Sequence, residues 1–89
     1  MILVVTGPTR SGKTTLAKQF QDIIPNAVVF DDLAPAEVVE QKYAIEQASI
    51  QIGMAIVITR NSPIVEDQIQ KWMDMFRISL VECHDIVKI

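Results

Sequence analysis

Eight residues near the start of the chain have the types and spacing that bind phosphate. Residues 7–14 read GPTRSGKT and match the pattern G-x-x-x-x-G-K-[ST] at every fixed position. Gly7 and Gly12 let the backbone turn so that successive N–H groups point at an anion. Lys13 reaches the β- and γ-phosphates of a nucleotide, and the Thr14 hydroxyl suits Mg²⁺. The pattern predicts a nucleotide-binding loop made of Gly7, Pro8, Thr9, Arg10, Ser11, Gly12, Lys13, Thr14 and Thr15.

Two adjacent carboxylates, Asp31 and Asp32, stand at the end of a second apolar segment. Strands of a parallel sheet end along one edge, so we expect both carboxylates beside the phosphate loop. We assign Asp31 to Mg²⁺ through its water shell and Asp32 to the attacking water. Neighbouring carboxylates are expected to share one environment, so these two roles are interchangeable. The alternative interpretation is structural: the two carboxylates form a solvated strand end or an N-cap for the next helix.

A third apolar segment ends in Thr59, Arg60 and Asn61. An Asn amide both donates to phosphate and accepts from water, so Asn61 is a candidate for contacting the γ-phosphate or the attacking water. A turn that precedes Ser62 and Pro63 explains Asn61 equally well.

The rest of the chain supplies the elements that must position these residues. Apolar patterns predict strands over 2–6, 27–31, 54–59 and 78–83, and helices over 13–24, over 35–52 and from Pro63 onward. Two apolar helix stripes are expected, one of Leu16, Phe20, Ile23 and Ile24, and one of Val65, Ile69, Trp72, Met73 and Phe76. This alternation predicts one α/β domain, residues 1–89, with helices on both faces of a parallel sheet. Residues 85–89 either extend the fourth strand or add a fifth.

Length and composition exclude several classes of protein. The 89 residues carry a formal net charge of −3 and a single Cys, which excludes a disulfide framework and a multi-cysteine zinc site. The chain has no apolar run long enough for a membrane span and no signal peptide pattern, so we expect a cytoplasmic or nuclear protein without membrane contact. The negative charge does not support nucleic-acid binding.

The three motifs, taken in order, resemble the ATPase core of superfamily 3 helicases. The similarity is greatest to the rolling-circle replication initiators (Rep proteins) of small circular single-stranded DNA viruses. It rests on GPTRSGKTTLAKQF at 7–20, VVFDDL at 28–33 and IVITRN at 56–61. The resemblance implies a three-layer P-loop fold of the AAA+-like branch that hydrolyses ATP, or another nucleoside triphosphate, with Mg²⁺. It gives Lys13, Thr14, Asp31, Asp32 and Asn61 the roles stated above.

The resemblance also implies a homo-oligomer, in a ring, whose site is completed by an arginine of the next subunit. Arg77 is the first candidate for this catalytic arginine and Arg60 the second, although a solvated surface position explains Arg77 as well. Such initiators unwind DNA with a basic hairpin, whereas Lys42 is the only cation in residues 33–53. We therefore expect ATPase activity, and single-stranded DNA as a partner is left open.

Two other functions use the same phosphate loop. A small phosphotransferase would pass the γ-phosphoryl group to a metabolite, but such enzymes use a lid with several arginines, and this chain has three arginines in all. A nucleotide-binding module without turnover of its own is the other alternative.

Overall fold

The computed structural model describes residues 1–7 and 13–82, with Lys13 and Thr14 described by their backbone alone. The elements are β1 (Ile2–Thr6), α1 (Lys13–Ile23), β2 (Val28–Leu33), α2 (Pro35–Glu40), α3 (Lys42–Ile52), β3 (Ala55–Thr59), α4 (Pro63–Met73) and β4 (Ile78–Glu82). The predicted alternation of strands and helices is confirmed. The prediction for residues 85–89 lies outside the described residues.

The four strands form one sheet in which every pairing is parallel, in the order β2-β3-β1-β4. The α/β class with a parallel sheet is therefore confirmed. Strand β3 lies between β1 and β2, so the strand before the phosphate loop does not touch the strand that carries the two carboxylates.

The sheet is buried on both faces because its strands are apolar at consecutive positions. Ile2 and Val4 of β1 belong to a core with α2, α3 and α4. Leu3 and Val5 point the other way, into a core with α1. Each fully buried aliphatic side chain of this size stabilises the fold by about 1.5–3 kcal/mol, so the two cores hold the strand ends in place.

Two predicted helix boundaries are confirmed by their capping geometry. The Ser62 hydroxyl accepts a hydrogen bond from the Val65 backbone N–H at 3.4 Å, and Pro63 follows in the first helical turn of α4. Gly53 ends α3 in a left-handed conformation with φ 102°, where glycine is free of the steric cost other residues meet.

The single helix predicted over 35–52 is wrong at one residue. Gln41, with φ −98° and ψ 13°, leaves the helical region and separates α2 from α3. Helix α2 packs mainly against α4, whereas α3 packs mainly against the strands. The two segments therefore follow different partners, and no proline or glycine marks the break.

The predicted apolar stripes are partly wrong. Ile23 of α1 is 75% exposed and Met73 of α4 is 58% exposed. Ala17 of α1 is buried, and its small side chain lets the helix lie close to the sheet. Among the described residues, no helix has the length and apolar character needed to cross a membrane.

Candidate functional site

The carboxyl ends of the four strands define one edge of the sheet, called the carboxyl edge here. Pairing places Leu33, Thr59, Thr6 and Glu82 in a row along it, one from each of β2, β3, β1 and β4. With strands about 4.8 Å apart, the row is about 14 Å long. The described parts of the three sequence motifs, namely Gly7, the Asp31–Asp32 pair and Asn61, lie at or next to this edge.

The predicted phosphate loop leaves the middle of the carboxyl edge. Gly7 follows β1 with φ 151°, a conformation open to glycine, and α1 begins at Lys13. A strand before the loop and a helix after it are the context that the motif requires. Thr15 is exposed on the first turn of α1. Pro8, Thr9, Arg10, Ser11 and Gly12, and the side chains of Lys13 and Thr14, lie outside the described residues, so their roles remain predictions.

The two carboxylates lie in a β-bulge inside β2. Phe30 pairs with Val57 and Leu33 with Thr59, so three steps along β2 match two steps along β3. Asp32 has φ 53°, in the left-handed region that non-glycine residues seldom adopt. The strand therefore continues past the two carboxylates, whereas the sequence predicts that it ends at residue 31.

A buried side chain spans this bulge. The Thr59 hydroxyl donates a hydrogen bond of 2.7 Å to the Leu33 carbonyl oxygen, and Thr59 is only 2% exposed. Leu33 returns to the core beyond the bulge, while both aspartates stay exposed.

The two carboxylates have different surroundings, contrary to the expectation that they share one environment. Asp31 lines a cleft of about 270 Å³ beside Lys18 and Gln21 of α1. Asp32 lines a second cleft, of about 230 Å³, with Glu37 and Arg60. Because Asp31 and Asp32 have different neighbours, the roles assigned to them are not interchangeable by position.

Strand β3 separates the acidic pair from the phosphate loop. The backbone of β2 lies about 10 Å from that of β1, two strand spacings away. A carboxylate at this distance acts on a loop-bound metal through a water molecule more readily than by direct contact. The chain end of β3 lies next to that of β1, and Arg60 and Asn61 are both exposed there.

The two candidate arginines occupy opposite edges of the sheet. Arg60 follows β3 at the carboxyl edge. Arg77 precedes β4, and its carbonyl oxygen accepts a hydrogen bond of 2.9 Å from the Ile2 N–H at the start of β1. Five residues of β4 separate Arg77 from the carboxyl edge, about 16 Å. Arg77 therefore cannot complete the site of its own chain.

A magnesium ion fits the donors at this edge only when a nucleotide supplies further ligands. Residues 1–7 and 13–82 contain no group of three or more His, Cys, Asp or Glu side chains that could hold a metal. Mg²⁺ commonly takes one or two protein carboxylates or hydroxyls and completes its shell with water and phosphate oxygens. The predicted ligand Thr14, with Asp31 acting through the water shell, would be a donor set of that kind.

Two residues at the carboxyl edge were missed by sequence reasoning. Glu82 is exposed and pairs with Thr6, so a third carboxylate stands one strand from the loop, on the side away from Asp31 and Asp32. Thr59 is the other. Both are polar residues at the end of an apolar strand, and the sequence shows this pattern. Their neighbours, however, depend on the order of the strands in the sheet, which no local sequence pattern contains.

Comparisons with protein-family models, with curated proteins and with solved structures find no significant match to this chain.

Proposed function

We propose that this chain binds a nucleoside triphosphate with Mg²⁺, ATP by its resemblance, and hydrolyses it as a minimal P-loop ATPase core. The observation that carries the proposal is the register of the sheet. Thr6 pairs with Thr59, and Thr59 pairs with Leu33. The strands that carry the three motifs are therefore neighbours, in the order β2, β3, β1, and they end together at the carboxyl edge. The loop, the acidic pair and Asn61 are at least 16 residues apart in sequence, and a shared ligand would require that they meet in this way.

The proposed roles follow from position. Lys13 and the loop N–H groups hold the phosphates, and the N-terminus of α1 adds a favourable field. Thr14 and Asp31 would hold Mg²⁺, Asp31 through bound water, and the ion would neutralise developing charge on the phosphates.

The remaining polar groups act on the attacking water. Its oxygen bonds to the γ-phosphorus while the bond from that phosphorus to the β,γ-bridging oxygen breaks, and ADP leaves. Asp32 accepts a hydrogen bond from this water and receives its proton. Asn61, one strand from the loop, donates to a γ-phosphate oxygen.

A nucleotide-binding module without turnover of its own is the second candidate, and the position of Arg77 favours it. With Arg77 at the opposite edge, a single chain lacks that arginine at its carboxyl edge. An isolated chain would then bind nucleotide and turn it over only when a second copy supplies the arginine.

Steady-state hydrolysis of Mg²⁺-ATP, measured over a range of protein concentrations, tests the proposal. The Lys13→Ala variant should abolish turnover. Lys42→Ala, which removes an exposed lysine from α3, is the matched control and should leave it unchanged.

Specific activity that rises with concentration indicates a site completed between subunits. Nucleotide binding that needs Lys13, without hydrolysis at any concentration, indicates the binding module. Hydrolysis that survives Lys13→Ala would contradict the proposal.

A further inference from the structure

We propose that Thr59 is a positioning residue that holds the bulge of β2 and thereby presents Asp31 and Asp32 at the carboxyl edge. This inference rests on the proposed function, because it concerns the same site. It begins from a buried side-chain hydrogen bond that crosses the bulge, from the Thr59 hydroxyl to the Leu33 carbonyl oxygen at 2.7 Å.

The bulge decides which side chains of β2 enter the core. Phe30 packs against the core formed with α2, α3 and α4, and Leu33 belongs to that same core. Side chains alternate between faces along a regular strand, so unbroken pairing after Phe30 would direct Asp32 into this core and Leu33 out of it. The extra residue reverses this outcome. It lets Leu33 point inward and leaves both aspartates exposed.

This arrangement departs from regular strand geometry, so a contact that favours it matters. Asp32 adopts φ 53°, a conformation that Asp tolerates better than most residues but that is still uncommon outside glycine. The ladder between β2 and β3 is also interrupted between Phe30 and Leu33. Directly after this interruption, the hydrogen bond from the Thr59 hydroxyl connects β3 to β2 again. Thr59 is only 2% exposed, so water cannot easily take the place of its hydroxyl.

The function of Thr59 is therefore indirect. Thr59 touches the backbone of Leu33, and through it fixes where the two preceding carboxylates stand. Removing the hydroxyl leaves a buried carbonyl without its donor and lets the bulge adopt other conformations. A misplacement of about 1 Å in a catalytic group lowers a rate by up to about 100-fold.

The test compares Thr59→Val, which keeps the shape and removes the hydroxyl, with Thr59→Ser, which keeps the hydroxyl. Ile56→Val, a mild change in the buried part of the same strand, controls for lost stability. We expect Thr59→Val to lower kcat for Mg²⁺-ATP by about 10- to 100-fold with KM changed less than about threefold. Thr59→Ser should restore most of kcat, and Ile56→Val should leave it unchanged. Should Thr59→Val not fold, Thr59→Ala replaces it.

A second readout needs no nucleotide. Amide hydrogen exchange of the peptide 28–34 should be faster in Thr59→Val than in the parent chain and near normal in Thr59→Ser. Faster exchange together with the loss of kcat supports the positioning role. A kcat within about twofold of the parent in folded Thr59→Val overturns it, as does unchanged exchange. If the parent chain itself shows no turnover of Mg²⁺-ATP, the proposed function fails, and the role of Thr59 falls with it.

Discussion

If Arg77 is catalytic, its position requires that it act on the site of a neighbouring copy of the chain, and this leads to a complementation prediction. Its backbone lies at the amino ends of the strands, about 16 Å from the carboxyl edge. If Arg77 stabilises the transition state, Arg77→Ala should lower turnover by about 10³-fold or more. Lys13→Ala should abolish turnover in the same chain. A mixture of the two inactive variants should nevertheless hydrolyse ATP.

The expected recovery follows from counting interfaces. In a ring, each site combines the loop of one subunit with the arginine of the next. In an equal mixture, half of the subunits have an intact Lys13, and half of their neighbours have an intact Arg77. About one quarter of the sites are then complete, so the mixture should reach about 25% of the parent activity after subunits exchange.

Hydrolysis assays on mixtures formed at low protein concentration and then concentrated would measure this recovery. Lys13→Ala mixed with Asp32→Asn is the control, because both changes affect the same chain's site and no complete site forms. A Lys13→Ala and Arg77→Ala mixture that shows only the mean of its two components would refute the reasoning. Full activity of Arg77→Ala alone would refute it too.

Three further predictions concern single residues. Gln68 is 5% exposed, so its amide is almost completely removed from water. Gln68→Met should therefore raise the free energy of unfolding by about 1 kcal/mol in urea titrations; a decrease would mean that the amide is satisfied. Trp72 is fully buried, and its indole N–H donates to Glu46 at 3.4 Å. Trp72→Phe should lower the unfolding free energy by about 2 kcal/mol, with the exposed Met73→Leu as a neutral control. Asp32→Asn keeps a residue that tolerates positive φ, so nucleotide affinity should be retained while turnover falls by about 10²-fold or more; turnover at the parent rate would exclude Asp32 from activating water.

The elements and their caps were predictable because the signals are local. An apolar run of five residues formed β1, and Ser62 followed by Pro63 began α4. Gly53 ended α3 in the conformation that glycine favours. These features depend on side-chain type within a few residues, which the sequence contains directly.

The arrangement of the site was less predictable because it depends on strand order. The sequence predicts that Asp31 and Asp32 lie beside the loop, but β3 lies between β1 and β2. The bulge at Asp32 also depends on a partner strand, because a bulge is defined by an extra residue relative to the paired strand, here β3 with Thr59. The break at Gln41 arises in the same way, from helices that pack on different neighbours.

Amide chemical shifts of the nitrogen-15-labelled chain, recorded while Mg²⁺-ATP is added, would test the central claim most directly. The account predicts the largest changes at the carboxyl edge, at Gly7, Asp31 and Asn61 and in residues 12–15, with little change near Ile2 and Arg77 at the opposite edge. Lys13→Ala should suppress these changes. Shifts concentrated at the opposite edge, or shifts that persist in Lys13→Ala, would contradict a nucleotide site at the carboxyl edge.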